Sequence, residues 1–289
     1  MEQDSPKKPR LTRRGLLKAA GSFAVLGGAT GLYTWRIEPH WMRFVERDLP
    51  IRNLPGPLAG RTLAQVSDIH VGPVGEDYLL ASFAELGARS PDLIVFTGDF
   101  MSCQRDERID DVARIMEHAP DAPLGRYAIM GNHDYGGKWG DSSVADKLTT
   151  RLEDLGIIVL RNARRSVTGL SIVGLDDLWS PNWGSAKTAM ASLTSEEPAV
   201  VLCHNPDACD LPIWGNYRGW VLSGHTHGGQ CKAPFLPPPI LPVKNRRYTA
   251  GEFALSGGRS LYINRGLGYV QRVRFNVRPE ITLFRMTEA

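Results

Sequence analysis

Five short apolar runs in this chain each end on side chains that can hold or move charge. Residues 62–67 lead into Asp68 and His70, 93–97 into Gly98 and Asp99, and 127–130 into Gly131, Asn132, His133 and Asp134. Residues 199–203 lead into His204, and 220–223 into Gly224, His225 and His227. Singly, each has a bland explanation: a histidine beside a strand is commonly a hydrogen-bonded structural residue, and an aspartate after a strand commonly caps a turn. Together they gather carboxylates, a carboxamide and imidazoles at successive strand ends, a donor set suited to hard-to-borderline divalent metals. No cysteine stands among them, which argues against structural zinc. The spacing adds content. In Asp68-x-His70 and His225-x-His227 the side chains lie two residues apart and point the same way from an extended chain, so each pair can face one ion. Asp99 has two carboxylate oxygens and so can bridge two ions.

Apolar runs of this kind suit strands buried on both faces by covering helices. Helical spacing recurs over residues 78–87, 109–118 and 144–155, so the body reads as an α/β layered domain. Its polar clusters sit at the carboxyl ends of strands, where function gathers in open α/β sheets. Residues 171–175, 260–264 and 281–284 read as further strands that complete a second sheet. Residues 37–54 read as an extended lead-in, closed by a turn at Pro55, Gly56, Pro57 and Gly60. Residues 234–243 are too proline-rich for a helix or central strand and read as a surface loop. That loop is either an apolar platform for a lipid-linked substrate or a rigid cover over a sheet edge.

The motifs D-x-H, G-D, G-N-H-D, a lone H and G-H-T-H follow one another over residues 60–230, in an order that resembles the calcineurin-like metallophosphoesterase superfamily. Asn264-Arg265-Gly266-Leu267-Gly268 is similar to a family stretch as well. The resemblance implies a four-layer αββα sandwich of two mixed β-sheets flanked by helices. It also implies two divalent metal ions (Mn, Fe or Zn), one held by Asp68, His70, Asp99 and His227, the other by Asp99, Asn132, His204 and His225. His133 would lie over the substrate with Asp134 orienting its ring, and a hydroxide bridging the ions would attack phosphorus in line. The implied reaction is phosphate-ester hydrolysis. The motif strings hold no extra Lys or Arg for a doubly charged monoester, which leans the reading to a phosphodiesterase. Two alternatives stand beside it: a pyrophosphatase acting on a lipid-linked nucleotide such as a UDP-diacylated sugar, and a non-catalytic metal-bound binding module.

The remaining signals concern location. Residues 1–36 hold seven Lys/Arg against two acids, which leaves 27 basic and 29 acidic residues of the chain's 34 and 31. The basicity therefore belongs to the N-terminal segment, and no nucleic-acid partner is expected of the body. Arg13-Arg14 precede a Gly/Ala-rich apolar run over 19–33, which resembles a twin-arginine export signal. That run is shorter than the ~20 residues that span a bilayer comfortably, and no small-x-small cleavage site follows it. We therefore divide the chain into residues 1–36, a signal or N-terminal anchor, and 37–289, the catalytic domain. The expected location is the periplasmic or extracytoplasmic face, with anchorage to the inner membrane open. The expected partners are the phosphate-ester substrate, the twin-arginine export machinery and the membrane surface. Cys103, Cys203, Cys209 and Cys231 show no C-x-x-C spacing and read as buried free thiols. Weaker signals are Arg265 as a phosphate contact, Trp179 and Trp183 as stacking surfaces, and Asp176 and Asp177 after a strand.

Overall fold

A computed structural model of the chain describes residues 12–102 and 108–289, so Cys103 lies outside the described residues. In β3 (Leu93–Thr97) every residue is buried, and alternate side chains serve different layers. Leu93 and Val95 face a core shared with a second sheet, whereas Ile94 and Phe96 face helices. Each such side chain contributes about 1.5–3 kcal/mol when fully buried, which is why an unbroken apolar run is stable only between two covering layers. The same holds for β2 (Thr62–Val66), with Leu63 facing the second sheet and Ala64 and Val66 facing helices.

The first sheet has the order β1-β12-β2-β3-β4-β5, with β1 Arg43–Ile51, β4 Arg126–Ile129, β5 Ile157–Val159 and β12 Glu280–Glu288. Its strands are parallel except where β12 meets β2. The second sheet has the order β10-β11-β9-β8-β7-β6, built from β6 Ala163–Val167, β7 Leu170–Gly174, β8 Ala199–Leu202, β9 Trp220–Ser223, β10 Gly251–Ala254 and β11 Ser260–Ile263. There the edges β6 and β10 run antiparallel to a parallel centre. Helices α2 (Glu76–Gly87), α3 (Ile109–Met116) and α4 (Ser142–Asp154) pack Phe83, Ile115 and Leu148 on the outer face of the first sheet. On the outer face of the second lie α5 (Ala186–Ala191), Trp214 and Tyr217. The result is four layers, helices–sheet–sheet–helices, with two mixed sheets, as the resemblance implies. Parallel order on both sheets brings the carboxyl ends of β2, β3 and β4 against those of β8, β9 and β11.

Three elements differ from the sequence expectation. Residues 281–284 do not complete the second sheet; they belong to β12, inserted between β1 and β2 of the first. The lead-in contains β1, an edge strand whose Pro50 is tolerated because an edge need not donate every N–H. Strand membership here is decided by partners far away in sequence, Arg43 opposite Glu280 for instance, which local pattern cannot report. The third difference is the N-terminal helix. The α1 helix (Arg13–Leu32) is capped by Thr12, whose Oγ1 accepts from Gly15 N. It continues through tighter and wider turns to His40 as one apolar helix of 28 residues, none buried over Arg13–Leu32. At about 1.5 Å per residue that is roughly 40 Å, longer than the apolar run suggested, because the helical backbone continues past its polar flanks.

Candidate metal centre

The chain leaves each strand by a sharp turn. Asp68, His70, Asp99, His225 and His227 all have left-handed backbones, with φ of 52°, 53°, 57°, 70° and 50°. Such a conformation costs roughly 1–3 kcal/mol at a non-glycine residue, and it clusters where function over-determines the backbone. Cross-strand hydrogen bonds hold it: Asp68 N donates to Gly98 O, His70 N to Asp99 O, and Gly224 N to His204 O. Gly224 is required by close approach, since a Cβ there would lie 1.9 Å from Ser67 Oγ and 2.3 Å from Asp68 Oδ2. The two sheets thus touch at the site itself.

Two groups of ligand atoms result, Asp68, His70 and His227, and Asp99, His204 and His225, each within 4.8 Å of one another. Asp68 and His70 thus share a group as their spacing suggests, whereas His225 and His227 do not face one ion but are divided between the two. In the first, His70 Nε2 and His227 Nε2 face each other at 3.0 Å, and Asp68 Oδ1 lies 3.3 Å from His227 Nε2. In the second, His204 Nε2 lies 3.2 Å from Asp99 Oδ2. The same Asp99 oxygen is 3.7 Å from His70 Nε2, so it stands between the groups. Asn132 Oδ1 is buried without a hydrogen-bond partner, as is His204 Nε2. Outer partners set the tautomers: His204 Nδ1 donates to Thr97 O at 2.7 Å, leaving the Nε2 lone pair free, and His225 Nε2 donates to Pro242 O at 2.9 Å, leaving Nδ1. Ser102 Oγ holds His70 Nδ1.

The electrostatics suit cations. Burial pushes the imidazoles of His70 and His225 down to about 3 and that of His227 well below its ordinary range, which keeps them neutral, the ligand form. Burial pushes Asp68 up to about 6. Burial also opposes charge on Asp99, yet His204, His133 and His70 hold it well below the carboxylate range. Burial opposes charge on His204 as well, yet Asp99, Asp68 and Asp177 raise it well above the imidazole range. A lone pair and a carboxylate oxygen 3.2 Å apart need positive charge between them. A proton supplies one unit to one pair, whereas divalent ions would engage both groups together with the orphaned Asn132 Oδ1. The residues fit two metal ions.

His133 sits at the mouth, its backbone N donating to Asp99 Oδ1 at 2.9 Å and its ring edge-on to His70. Asp134 behaves differently from the expectation that it orients the His133 ring. Its carboxylate accepts from four backbone amides, Asp99 N, Phe100 N, Met101 N and Gly131 N, at 2.8–3.3 Å, and so ties the β3 exit to the β4 exit. Burial and the Asp99 charge push its carboxyl up to about 8, while the amides favour the ionised form. Removing the acceptor leaves buried donors unsatisfied at about 1–3 kcal/mol each. Asp134→Ala is therefore expected to lower the unfolding free energy by about 3–5 kcal/mol in urea denaturation; a loss below about 1 kcal/mol would sink the clamp role.

A cavity of about 370 Å³ opens over the centre, lined on one side by Asp99, Asn132, His133 and His225 and on another by Pro239, Ile240 and Val270. Trp139 and Trp179 stack at 4.8 Å on its rim. Trp183 packs instead against the outer core of the second sheet. Arg265 does not reach the cavity; its Nε pairs with Glu280. Asp176 accepts from Tyr135 and Arg161 and is structural, while Asp177 Oδ1 accepts Trp179 N and shapes the tryptophan turn. Cys203 and Cys209 are buried free thiols, and burial pushes both up, Cys209 to about 12; Cys231 is half-buried on the cavity wall. Sequence reasoning missed Ser102, Trp139 and Arg274, the last fully buried with its guanidinium on the carbonyls of Arg265, Gly266 and Gly268. No local motif marks them.

Residues 61–229 match the calcineurin-like phosphoesterase family. The chain belongs to that family. It is 32% identical to the uncharacterized metallophosphoesterase YkuE of Bacillus subtilis, over 95% of this chain and 97% of that one. It is 30% identical to the phosphodiesterase YaeI of Escherichia coli, over 96% and 99%. It is 28% identical to the UDP-2,3-diacylglucosamine pyrophosphatase LpxG of Chlamydia trachomatis, over 89% and 94%. The chain is a metallophosphoesterase, a phosphoric ester hydrolase with two metal-binding Asp/His groups, and the non-catalytic alternative falls away. The family match ends at Gly229, yet Pro242 and Arg274, which hold two of the site histidines, come from the segment beyond.

Proposed function

We propose that this phosphoesterase hydrolyses phosphodiesters at a dinuclear centre, one ion held by Asp68, His70, Asp99 and His227 and the other by Asp99, Asn132, His204 and His225. The observation that carries the centre is Asp99 Oδ2, standing 3.2 Å from His204 Nε2 and 3.7 Å from His70 Nε2. Divalent ions there supply Lewis acidity, easing ionisation of water near neutral pH and offsetting charge on the phosphoryl oxygens. The chain's own residues do the rest. Asp99 Oδ1 fixes the His133 backbone, which places its ring over the cavity floor, where it delivers a proton to the departing ester oxygen. The apolar wall and the two stacked tryptophans line the cavity beside it.

The preference for a diester rests on the cavity lining, in which no Lys or Arg stands among the described residues. A dianionic monoester calls for such groups; a monoanionic diester brings a second substituent, which the apolar wall accommodates. A pyrophosphate joining a nucleoside to a lipid is the second reading, favoured by the stacked Trp139–Trp179 pair and by the similarity to LpxG. The purified chain is expected to hydrolyse bis-p-nitrophenyl phosphate at least tenfold faster than p-nitrophenyl phosphate, and chelator should abolish both activities; faster monoester cleavage would overturn the diester reading. Because burial raises Asp68 of the metal-free site to about 6, protons compete with metal for it below that value. The apparent metal affinity in a titration of the metal-free chain should therefore weaken progressively from about pH 6 to about pH 5, and an affinity unchanged over that range would argue against Asp68 as a ligand.

We also assign residues 1–36 as a twin-arginine signal that stays as an anchor and residues 37–289 as the catalytic body, which faces the extracytoplasmic side. The helix Arg13–His40, with no buried residue over Arg13–Leu32, supports this reading. Arg13→Lys with Arg14→Lys is expected to hold the chain in the cytoplasm, read by protease accessibility in spheroplasts; unchanged distribution would exclude the route.

A further inference from the structure

The proline-rich segment has a consequence for how the site meets its surroundings. Phe235 is fully exposed, and Leu236 and Ile240 are 60% and 78% exposed. These side chains cannot retreat, because Pro234, Pro237, Pro238, Pro239 and Pro242 stiffen the backbone. Arg246 Nη2 clamps the loop by donating to Pro238 O at 2.9 Å and Pro239 O at 3.2 Å, and Pro242 O accepts from His225. A rigid loop that holds large apolar side chains in water calls for a cover. Its charge says which kind: residues 230–248 contain Lys232, Lys244, Arg246 and Arg247 and no Asp or Glu. Asp207 and Asp210 meet the far end of the segment, where they accept from Lys244 N, Asn245 and Tyr248, so four cations stand against two acids. Apolar tips on a segment of net positive charge match an anionic lipid interface.

The loop is also tied to the base of the apolar helix. Lys232 N donates to Phe275 O and Phe275 N to Gln230 O, both at 2.9 Å, and Arg274 N donates to Thr34 O at 3.0 Å. Arg272 stacks over Trp35 and Arg278 over Trp41, and both tryptophans are half-exposed, the aromatic–cation pairing of a bilayer boundary. Between helix base and loop lie Val270 and Val273, on the wall of the catalytic cavity.

We propose that the loop around Phe235, Leu236 and Ile240, with Val270, docks on the surface of an anionic phospholipid bilayer and seats the mouth of the metal centre there. The proposal rests on the reading of Arg13–His40 as a membrane anchor, and it adds a second, separate contact on the catalytic body. An ester borne by a lipid would then meet the centre at the level of the headgroups.

The test uses the full chain in vesicles of phosphatidylglycerol and phosphatidylethanolamine, with the photoreactive residue p-benzoylphenylalanine in place of Phe235. A control carries it at Asp121, an exposed position ahead of β4 and so at the opposite end of the strands. Irradiation is expected to yield at least tenfold more adduct with labelled phosphatidylglycerol from position 235 than from 121. Equal yields would overturn the proposal, and so would cross-linking of position 235 to a second protein chain in place of lipid. Leu236, likewise exposed, serves as a second labelling position if the first variant folds poorly. Flotation of the vesicles before irradiation separates the two readings: chain that floats but gives no excess adduct at position 235 fails the docking surface alone, and chain that does not float fails the anchor reading.

Discussion

Asp99→Ala is expected to lose both metal ions and at least ~10⁴-fold in kcat/KM for diester hydrolysis, about 5.4 kcal/mol of transition-state stabilisation. The size follows from the position of the side chain. One oxygen stands between the two ligand groups, and the other fixes the backbone of His133. Without it, Asp68 is the only carboxylate in the two groups and faces four units of positive charge, while His204 loses the partner that draws a cation to it. Elemental analysis of the purified variant should find less than one ion per chain. Two ions retained at full stoichiometry would show that Asp99 does not join the groups.

His133→Ala should separate chemistry from metal binding. The ring is no member of either ligand group, and alanine keeps the backbone N–H that donates to Asp99. Both ions should stay, while turnover of a diester with an alkyl leaving group falls by about 10²–10⁴, the usual worth of a positioned proton donor. A nitrophenyl leaving group departs without needing a proton, so its cleavage should fall much less. An equal loss on both substrates would mean that the ring orients the phosphate rather than protonating the leaving oxygen, and loss of metal would place it among the ligands. The two variants therefore differ in metal content as well as rate.

Both results turn on residues visible in the linear chain, and that visibility has a physical basis. A ligand must be a residue of defined chemistry, it must stand at a strand end to be exposed to an ion, and a neighbouring glycine must let two backbones approach. Those demands fall on closely spaced positions such as Gly224, His225 and His227, so they survive as short motifs. Asp134 shows where this stops. Its position beside His133 suggested an orienting partner, but a buried carboxylate takes whichever donors surround it, and four backbone amides from two strand exits surround this one.

By itself the sequence determined the donor set, the central strands that carry it, the three helices that cover the first sheet, and the concentration of positive charge at the N-terminus. These follow from local chemistry and hydrophobic period. Only the tertiary structure decided that β12 lies between β1 and β2, that His225 and His227 part to different ligand groups, and that five site residues are left-handed. It also decided that the proline-rich loop joins the cavity wall to the base of the exposed helix. Each of these depends on which distant segments pair and how closely their backbones approach, a free energy summed over contacts far apart in the chain that no local pattern records.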